Sequence, residues 1–322
     1  MAKVLVTGGY GFIGSNLVAE LINRGNEVII IDNFSTGSKL FLDKNLQKNS
    51  RILEMDLLED SFIDLVPKLS GVSIIYHLAA NADVRGGWLD TERDIKQNVL
   101  VSRNVAEIAR TLSVEEVIFT STGCVYGDSY VMPTPETHPF PVQTSLYGAS
   151  KIAAEGIFSA YSNQGAFKST VFRFVSVLGA NYHHGHVIDF VRQLESNPNS
   201  LKILGNGKQR KSYISVDDCV SALIDLRGEN RFEVFNIGHD YFIDVLESAR
   251  IITQTLELNP KIRVDESDRG WVGDNPFTFL DNAKARKHGW KPSINIADAI
   301  GFTANWIKQN NWVLAKKDFR SL

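Results

Sequence analysis

The chain has 322 residues, 43% of them hydrophobic, with a formal net charge of −3 and two cysteines. That length leaves room for about two domains and an ample core, while Cys124 and Cys219 form no C-x-x-C pair and no disulfide framework, which suits a reducing compartment. The small, evenly spread charge argues against nucleic acid as a partner. No apolar run is long enough to span a membrane, and the N-terminus enters a strand without a signal sequence, so a cytoplasmic protein with no membrane contact is expected.

Val4-Leu5-Val6 reads as a short buried parallel strand. Gly8, Gly9, Gly11 and Gly14 follow where a strand must turn into a helix, and Phe12, Ile13, Leu17, Val18 and Leu21 continue at helical spacing. Glycine permits positive φ and removes the Cβ that would hold a ligand off the backbone, while a helix start offers free N–H groups, so this loop suits a pyrophosphate. The spacing Gly9-Gly11-Gly14 is common by chance, but here a second strand, Glu27 to Ile31, ends in Asp32, 18 residues after Gly14. About 20 is the distance expected of the carboxylate that receives the adenosine ribose hydroxyls. A carboxylate there repels a 2′-phosphate, which favours NAD over NADP. Gly8, Gly11, Phe12, Ile13, Gly14 and Asp32 are therefore candidate cofactor residues, a plain strand-end turn acid being the alternative for Asp32.

The polar loop Asn33, Ser35, Thr36 and Gly37 comes next, then a third strand, Arg51 to Met55, ending at Asp56-Leu57. These suit the adenine end, and Asp56 equally suits the N-cap of a helix over Ser61 to Leu69. A fourth strand, Ser73 to His77, runs into Leu78-Ala79-Ala80, whose small residues let backbone approach a ligand. Asp94 to Leu112 reads as one long amphipathic helix. Glu116 to Thr120 is a fifth strand leading into Ser121-Thr122-Gly123-Cys124-Val125-Tyr126-Gly127, and a proline-rich loop, Pro133 to Pro141, crosses to a helix from Tyr147 to about Tyr161. Ser169 to Phe174 is a further strand, and Val234 to Ile237 returns as another. Helices are predicted at Val187 to Glu195, Val216 to Leu226, Ile243 to Leu256 and Ile296 to Lys308. This alternation specifies an α/β fold, a doubly wound parallel sheet of Rossmann type, with a smaller interleaved α/β lobe that closes over a substrate. Residues 1–175, with a returning segment near 212–240, are expected to form the dinucleotide-binding part, and 176–322 mainly the substrate lobe.

Tyr147 and Lys151 are four residues apart, so on a helix they share a face and can meet one bound molecule. A phenol of pKa ~10 is a poor base at neutral pH; a nearby ammonium and an oxidised nicotinamide both favour the phenolate. Alone, Tyr-x-x-x-Lys is usually two surface residues. Behind the glycine loop, Asp32 and the Ser-Thr strand end, it becomes specific.

TGGYGFIG, DNFSTG, HLAANADVR, STGCVYG, YGASK, FRFVSVLG, QRKSYISVDD and RGWVGD together resemble the successive motifs of the extended short-chain dehydrogenase/reductases, the NAD-dependent nucleotide-sugar epimerase/dehydratase family, nearest to its UDP-glucose 4-epimerase-like members. The resemblance covers nearly the whole chain. It implies that Tyr147 is the base, Lys151 its tuning partner and Thr122 the hydroxyl that bridges the sugar O4, with Asn98 fixing Lys151 or the backbone beside it. Thr120 joins the cofactor residues named above. A nucleoside-diphosphate sugar would meet Asn81, Arg85, Thr122, Gly123, Cys124, Tyr147, Ser176, His184, Lys211 and Arg269. Arg85 has pairing with Asp83 as its alternative, and Arg210 solvation on a loop.

Departures narrow the chemistry. Gly123 and Cys124 stand where the 4,6-dehydratases carry an Asp-Glu pair and where decarboxylases commonly carry Glu, which disfavours elimination. Ser176 replaces an asparagine that contacts the diphosphate in many members. His183, His184 and His186 lack the carboxylates and spacing of a metal site, so no metal is expected. The helices Asp94 to Leu112 and Tyr147 to Tyr161 resemble the pair through which the family dimerises as a four-helix bundle, which would cover Val101, Val105 and Ile152. The expected activity is 4-epimerisation of a nucleoside-diphosphate hexose. The alternatives are a C4 dehydrogenase or reductase acting on an atypical sugar such as a heptose or deoxyhexose, and an NAD-binding sensor without turnover, which the intact Thr122, Tyr147 and Lys151 oppose.

Overall fold

A computed structural model describes residues 2–59, 62–139, 142–271 and 273–315. The first half alternates strands β1 (Lys3–Thr7), β2 (Glu27–Asp32), β3 (Ser50–Glu54), β4 (Ile74–His77), β5 (Glu116–Thr122) and β6 (Lys168–Phe174) with helices α1 (Phe12–Asn23), α2 (Lys44–Lys48), α3 (Phe62–Leu65), α4 (Thr91–Asp94), α5 (Val101–Leu112) and α6 (Leu146–Asn163). The second half adds the short strands β7 (Ser176–Leu178), β8 (Ser200–Ile203), β9 (Arg210–Lys211) and β10 (Tyr213–Ser215), then β11 (Phe232–Ile237), β12 (Ile243–Asp244), β13 (Lys261–Val264) and β14 (Phe277–Thr278). Its helices are α7 (His186–Ser196), α8 (Val216–Asp225), α9 (Val245–Thr255), α10 (Ala283–Lys287) and α11 (Ile296–Gln309).

Seven strands form one sheet in the order β11-β6-β5-β4-β1-β2-β3, every pair parallel. The order reverses between β1 and β4, and a crevice opens there at the carboxyl ends, the place where such sheets bind ligands. Side-chain alternation along each strand feeds two cores. Val4, Val6, Val28, Ile30 and Ile118 face one layer, and Leu5, Ile29, Ile31, Val117 and Phe119 face the other. The sheet is the expected doubly wound α/β arrangement, and Phe232–Ile237 pairs with β6, so the chain does come back to the sheet edge after its excursion.

Several predicted elements differ in detail. The helix predicted from Asp94 begins at Thr91 behind the N-cap Asp90, and passes through a π-helical turn, Ile95–Leu100, before α5. Pro67 limits the helix predicted over Ser61 to Leu69 to one α turn followed by a 3-10 turn, Val66–Leu69; Ser61 lies outside the described residues, as do Pro141 of the proline-rich loop and Val272 of RGWVGD. Ile243 and Asp244 belong to a strand, and Asp244 caps α9 by accepting from Glu247 N at 2.7 Å. Val101 and Val105, expected to be exposed for a partner, are buried with α6 side chains against the sheet. Ile152 is half-buried against the other core. The apolar side chains left open on this helix are Ile95 and Leu100, 50% and 44% exposed.

The smaller lobe is anchored by polar knots. The Asp218 carboxylate, 3% exposed, accepts from Ser215 Oγ (2.9 Å), Ser293 N (2.9 Å), Ser293 Oγ (2.6 Å) and Ile294 N (3.1 Å). This ties the start of α8 to the segment that leads into α11. Asp218→Ala leaves those buried donors without an acceptor, so it should lower stability by about 3 kcal/mol, read as a fall in the urea midpoint with the slope unchanged.

Candidate active site

The glycine loop closes tightly over the tip of β1. Gly8 has φ +71°, and a Cβ on it would stand 2.7 Å from Ala79 N; a Cβ on Gly14 would stand 2.1 Å from Gly8 O. No side chain caps α1, whose N-cap is Gly11, so the amides of Phe12, Ile13 and Gly14 open toward the crevice. Thr7 Oγ1 accepts from Leu78 N (3.3 Å) and Ala79 N (3.2 Å) and pairs with His77 Nδ1 (2.8 Å), fastening β4 to β1 at the switch point. Burial drives the His77 imidazole down to about 3, with the Lys151 charge adding to the effect, so it is neutral at working pH. Ala80 is half-buried in the next turn.

Asp32, at the end of β2, accepts from Tyr10 N and Phe34 N, both at 2.8 Å. A Cβ on Gly37 would come within 3.0 Å of Asp32 Oδ1, so only glycine lets the Ser35-Thr36-Gly37 loop lie against that carboxylate. Asn33 accepts from Ser35 N (3.0 Å) and donates to Asp56 Oδ2 (2.8 Å). Asp56 also accepts from Leu58 N (2.8 Å), so it forms the turn after β3, while Leu57 is buried and its carbonyl accepts from Asn104 Nδ2 (2.8 Å). The cradle without Cβ atoms, the open helix start and the acid at the second strand end fit a dinucleotide.

Thr122 ends β5, and its hydroxyl accepts from Cys124 N at 3.1 Å, opening the 3-10 turn Gly123–Tyr126. Ser145 caps α6 by accepting from Gly148 N at 3.0 Å, which sets Tyr147 and Lys151 in the first turns. Lys151 is 3% exposed; its Nζ donates to Thr120 O at 3.0 Å and lies 4.8 Å from the Phe119 ring. Burial lowers its ammonium to about 8 against the opposing pull of Glu155 and Asp94. The Tyr147 phenol is raised above its ordinary value, first by burial, then by Cys124 and Asp94, with Thr122 acting in the other direction. The expected lowering by Lys151 is thus absent from the protein alone: the ammonium is directed at the Thr120 carbonyl. A positive nicotinamide is the charge that would bring the phenol down.

Asn98, on the π-helical turn, accepts from Asn81 N (2.9 Å) and donates to Ser150 Oγ (2.8 Å), next to Lys151. Glu155 lies one turn beyond Lys151. It accepts from Ser121 Oγ (2.5 Å) and from Arg173 Nε and Nη2 (3.0 and 2.6 Å), and Arg173 also donates to Tyr126 Oη (2.7 Å). Neither Glu155 nor Arg173 stood out in the sequence; the i, i+4 spacing from Lys151 was the available signal.

The expected substrate residues divide. Cys124 is half-buried, its thiol raised by burial, and it feels the charges of Lys211 and Asp274, which places the smaller lobe beside the tip of β5. Lys211 pairs with the buried Asp274 at 2.9 Å, and Arg269 pairs with Asp128 at 2.6 Å while donating to Asp274 O at 2.5 Å. The Arg85 side chain turns to Asp189 (3.6 Å) and lies 4.2 Å from the Trp271 ring; only its backbone N–H reaches Asp83. Arg210 stacks on Phe277 and Phe242. Ser176 is exposed at the start of β7. His184 packs against His183 and Tyr182, and His186 bonds Ser248 Oγ at 2.8 Å. Among the described residues no three His, Cys, Asp or Glu side chains gather as metal ligands, and no helix is long and apolar enough to cross a membrane.

A doubly wound sheet with a glycine cradle, an acid at the second strand end and a Thr-Tyr-Lys cluster at the fifth defines an NAD-dependent short-chain dehydrogenase/reductase of the extended type. Residues 4–238 match the NAD dependent epimerase/dehydratase family. The chain belongs to that family, whose members here are nucleotide-sugar enzymes, and its cofactor is NAD. It is 31% identical over 314 residues, 96% of this chain and 99% of the other, to a Methanocaldococcus jannaschii protein named provisionally as a UDP-glucose 4-epimerase. Among solved structures it is similar to a UDP-galactose 4-epimerase (34% identity, TM-score 0.85, covering 96% of this chain and 100% of that one). It is also similar to the Thermotoga maritima UDP-glucose 4-epimerase with UDP-glucose (29% identity, TM-score 0.86, covering 96% and 99%).

Because the site where Gly14 lies leaves no space for a methyl group, Gly14→Ala should weaken NAD binding at least tenfold, or ~1.4 kcal/mol, in a fluorescence titration, with a modest loss of thermal stability.

Proposed function

We propose that the protein catalyses 4-epimerisation of a nucleoside-diphosphate hexose. The observation that carries this reading is the convergence of Thr122, Tyr147 and the buried Lys151 at the end of β5, with Gly123 and Cys124, and no carboxylate, in the two following positions. Bound NAD supplies a hydride acceptor that can return what it takes. The remaining work falls to side chains. Tyr147 Oη takes the proton from the sugar O4 and gives it back after the 4-ketone has turned its other face. Thr122 Oγ1 lies beside the phenol as a relay, and Lys151 carries its positive charge one helical turn further along α6.

Oxidation at C4 needs a base that gains a proton and releases it again within one turnover, and the Tyr147 phenolate beside an oxidised nicotinamide meets that need. Elimination of water would need an acid and a base at positions 123 and 124; Gly123 offers no side chain, and the Cys124 thiol, raised by burial, does not replace a carboxylate. The cations of the smaller lobe, Lys211, Arg269 and Arg85, are each matched to a carboxylate; the substrate diphosphate would compete for them on entry, while Asn81 and His184 border the sugar side. Ser176, in place of a diphosphate-binding asparagine, favours as second reading a C4 dehydrogenase or reductase acting on an atypical sugar. We further propose a homodimer in which Ile95 and Leu100 and the small side chains of α6 at Ala153 and Ala160 face a second copy, and a cytoplasmic location, to which the two free cysteines are suited.

Incubation with UDP-glucose or UDP-galactose, followed by proton NMR of the anomeric signals, should show interconversion without accumulation of NADH; stoichiometric NADH would instead support the second reading. Tyr147→Phe should lose about 10³-fold in turnover while keeping bound NAD. Lys151 carries its charge below about 8 and loses it above, so turnover should decline on the alkaline side of that value; a flat profile up to pH ~10 would remove the lysine from the mechanism.

A further inference from the structure

Asp94 has no part in the chemistry above, yet it is fully buried within the same cluster. It ends α4 where the chain enters the π-helical turn Ile95–Leu100, a local irregularity that recurs at functional sites. Asp94 Oδ1 accepts from Asn81 Nδ2 at 2.8 Å and from Asn98 Nδ2 at 3.2 Å. Asn98 Nδ2 also donates to Ser150 Oγ at 2.8 Å, and Ser150 Oγ donates to Tyr147 O at 2.8 Å. An unbroken series of hydrogen bonds therefore joins Asp94 to the turn of α6 that carries Tyr147 and Lys151.

The second oxygen, Oδ2, is buried and has no hydrogen-bond partner among the described residues. It rests against Gly87, where a Cβ would stand 2.5 Å from it. Leaving a buried carboxylate oxygen without a donor is costly and calls for a cause. If packing alone were at stake, an asparagine would fill the place at lower cost.

We propose that Asp94 is a positioning residue for the reaction proposed above, on which this inference rests: through Asn98 and Ser150 it holds the Tyr147–Lys151 turn, and its carboxylate is a countercharge for the buried Lys151 ammonium. The charged and titratable groups around it are Asp83, Arg93 and Lys151; Lys151 also faces Glu155 and His77, and Tyr147 faces Cys124. The sign follows from the charge. A carboxylate nearby raises both Lys151 and Tyr147, so removing it must lower both.

The test uses NAD-loaded enzyme carrying ¹³Cε-lysine or ¹³Cζ-tyrosine, with signals assigned through Lys151→Met and Tyr147→Phe. In Asp94→Asn, which keeps the shape and the acceptor oxygen, both midpoints should fall by about one unit, the effect of one charge at this range through a dielectric of ~20. Asn98→Ala, which keeps the charge and cuts the link, should leave the midpoints in place and lower turnover. Midpoints unchanged within about 0.2 unit in Asp94→Asn, or equal shifts in Asn98→Ala, would overturn the assignment. Should Asp94→Asn fail to fold, Gly87→Ala displaces the same oxygen and should move the midpoints in the same direction; no movement there counts against the proposal equally. The midpoints are read without sugar, so a clear shift in a protein that inverts no nucleotide sugar would reject the reaction while leaving the role of Asp94 standing.

Discussion

The site depends on keeping an ammonium ion inside the protein. Lys151 is sealed beneath the tip of β5, where it donates a hydrogen bond to the Thr120 carbonyl and its side chain lies on Phe119. A lone buried charge of this kind is expensive, and the surrounding architecture answers it with opposite charge at graded distance. Glu155 sits one helical turn further on and is itself neutralised by Arg173, whose guanidinium is completed by Tyr126. Tyr126 donates to Asn236 Oδ1 at 2.7 Å on β11, and Asn236 Nδ2 donates to Thr134 O at 2.9 Å. The lysine is thus the inner end of a network that crosses three strands and reaches the proline-rich loop.

This arrangement explains why the candidate site and the fold cannot be separated. β5 and α6 each contribute two members of the network, β6 and β11 one each, and all four also contribute apolar side chains to the two cores. Buried ion pairs of this kind add little net stability compared with well-packed apolar side chains, but losing one partner is severe. Their value here is geometric: they fix the rotation of α6, and with it the direction of Tyr147.

The parts of this organisation that were legible in the sequence are those with a short-range physical signature. The glycine loop, the acid at the end of β2, and the Tyr-x-x-x-Lys helix start show themselves through spacing read together with the strands and helices around them, and the parallel sheet follows from alternating apolar runs. The smaller lobe was not legible in the same way. Strands of two to four residues such as β9, β12 and β14 carry no periodicity, and their pairings join residues far apart in the chain. The π-helical turn has the composition of an ordinary helix, so a single long helix was expected, and with it the wrong face: Val101 and Val105 point inward, and Ile95 and Leu100 outward. The partners of Arg85, Lys211 and Arg269 were likewise hidden, because Asp189, Asp274 and Asp128 reach them only through tertiary contact.

After β6 the polypeptide leaves the sheet, builds much of the smaller lobe, and comes back as β11 at hydrogen-bonding distance from the strand it left. Both ends of that excursion are held by neighbouring strands at one side of the sheet, and on the way back α8 packs against α1 beside the sheet, where Arg24 pairs with Asp225. Loops within the excursion can therefore lengthen, shorten or change side chains without altering β5 and α6, which carry Thr122, Tyr147 and Lys151 and lie before it in the chain.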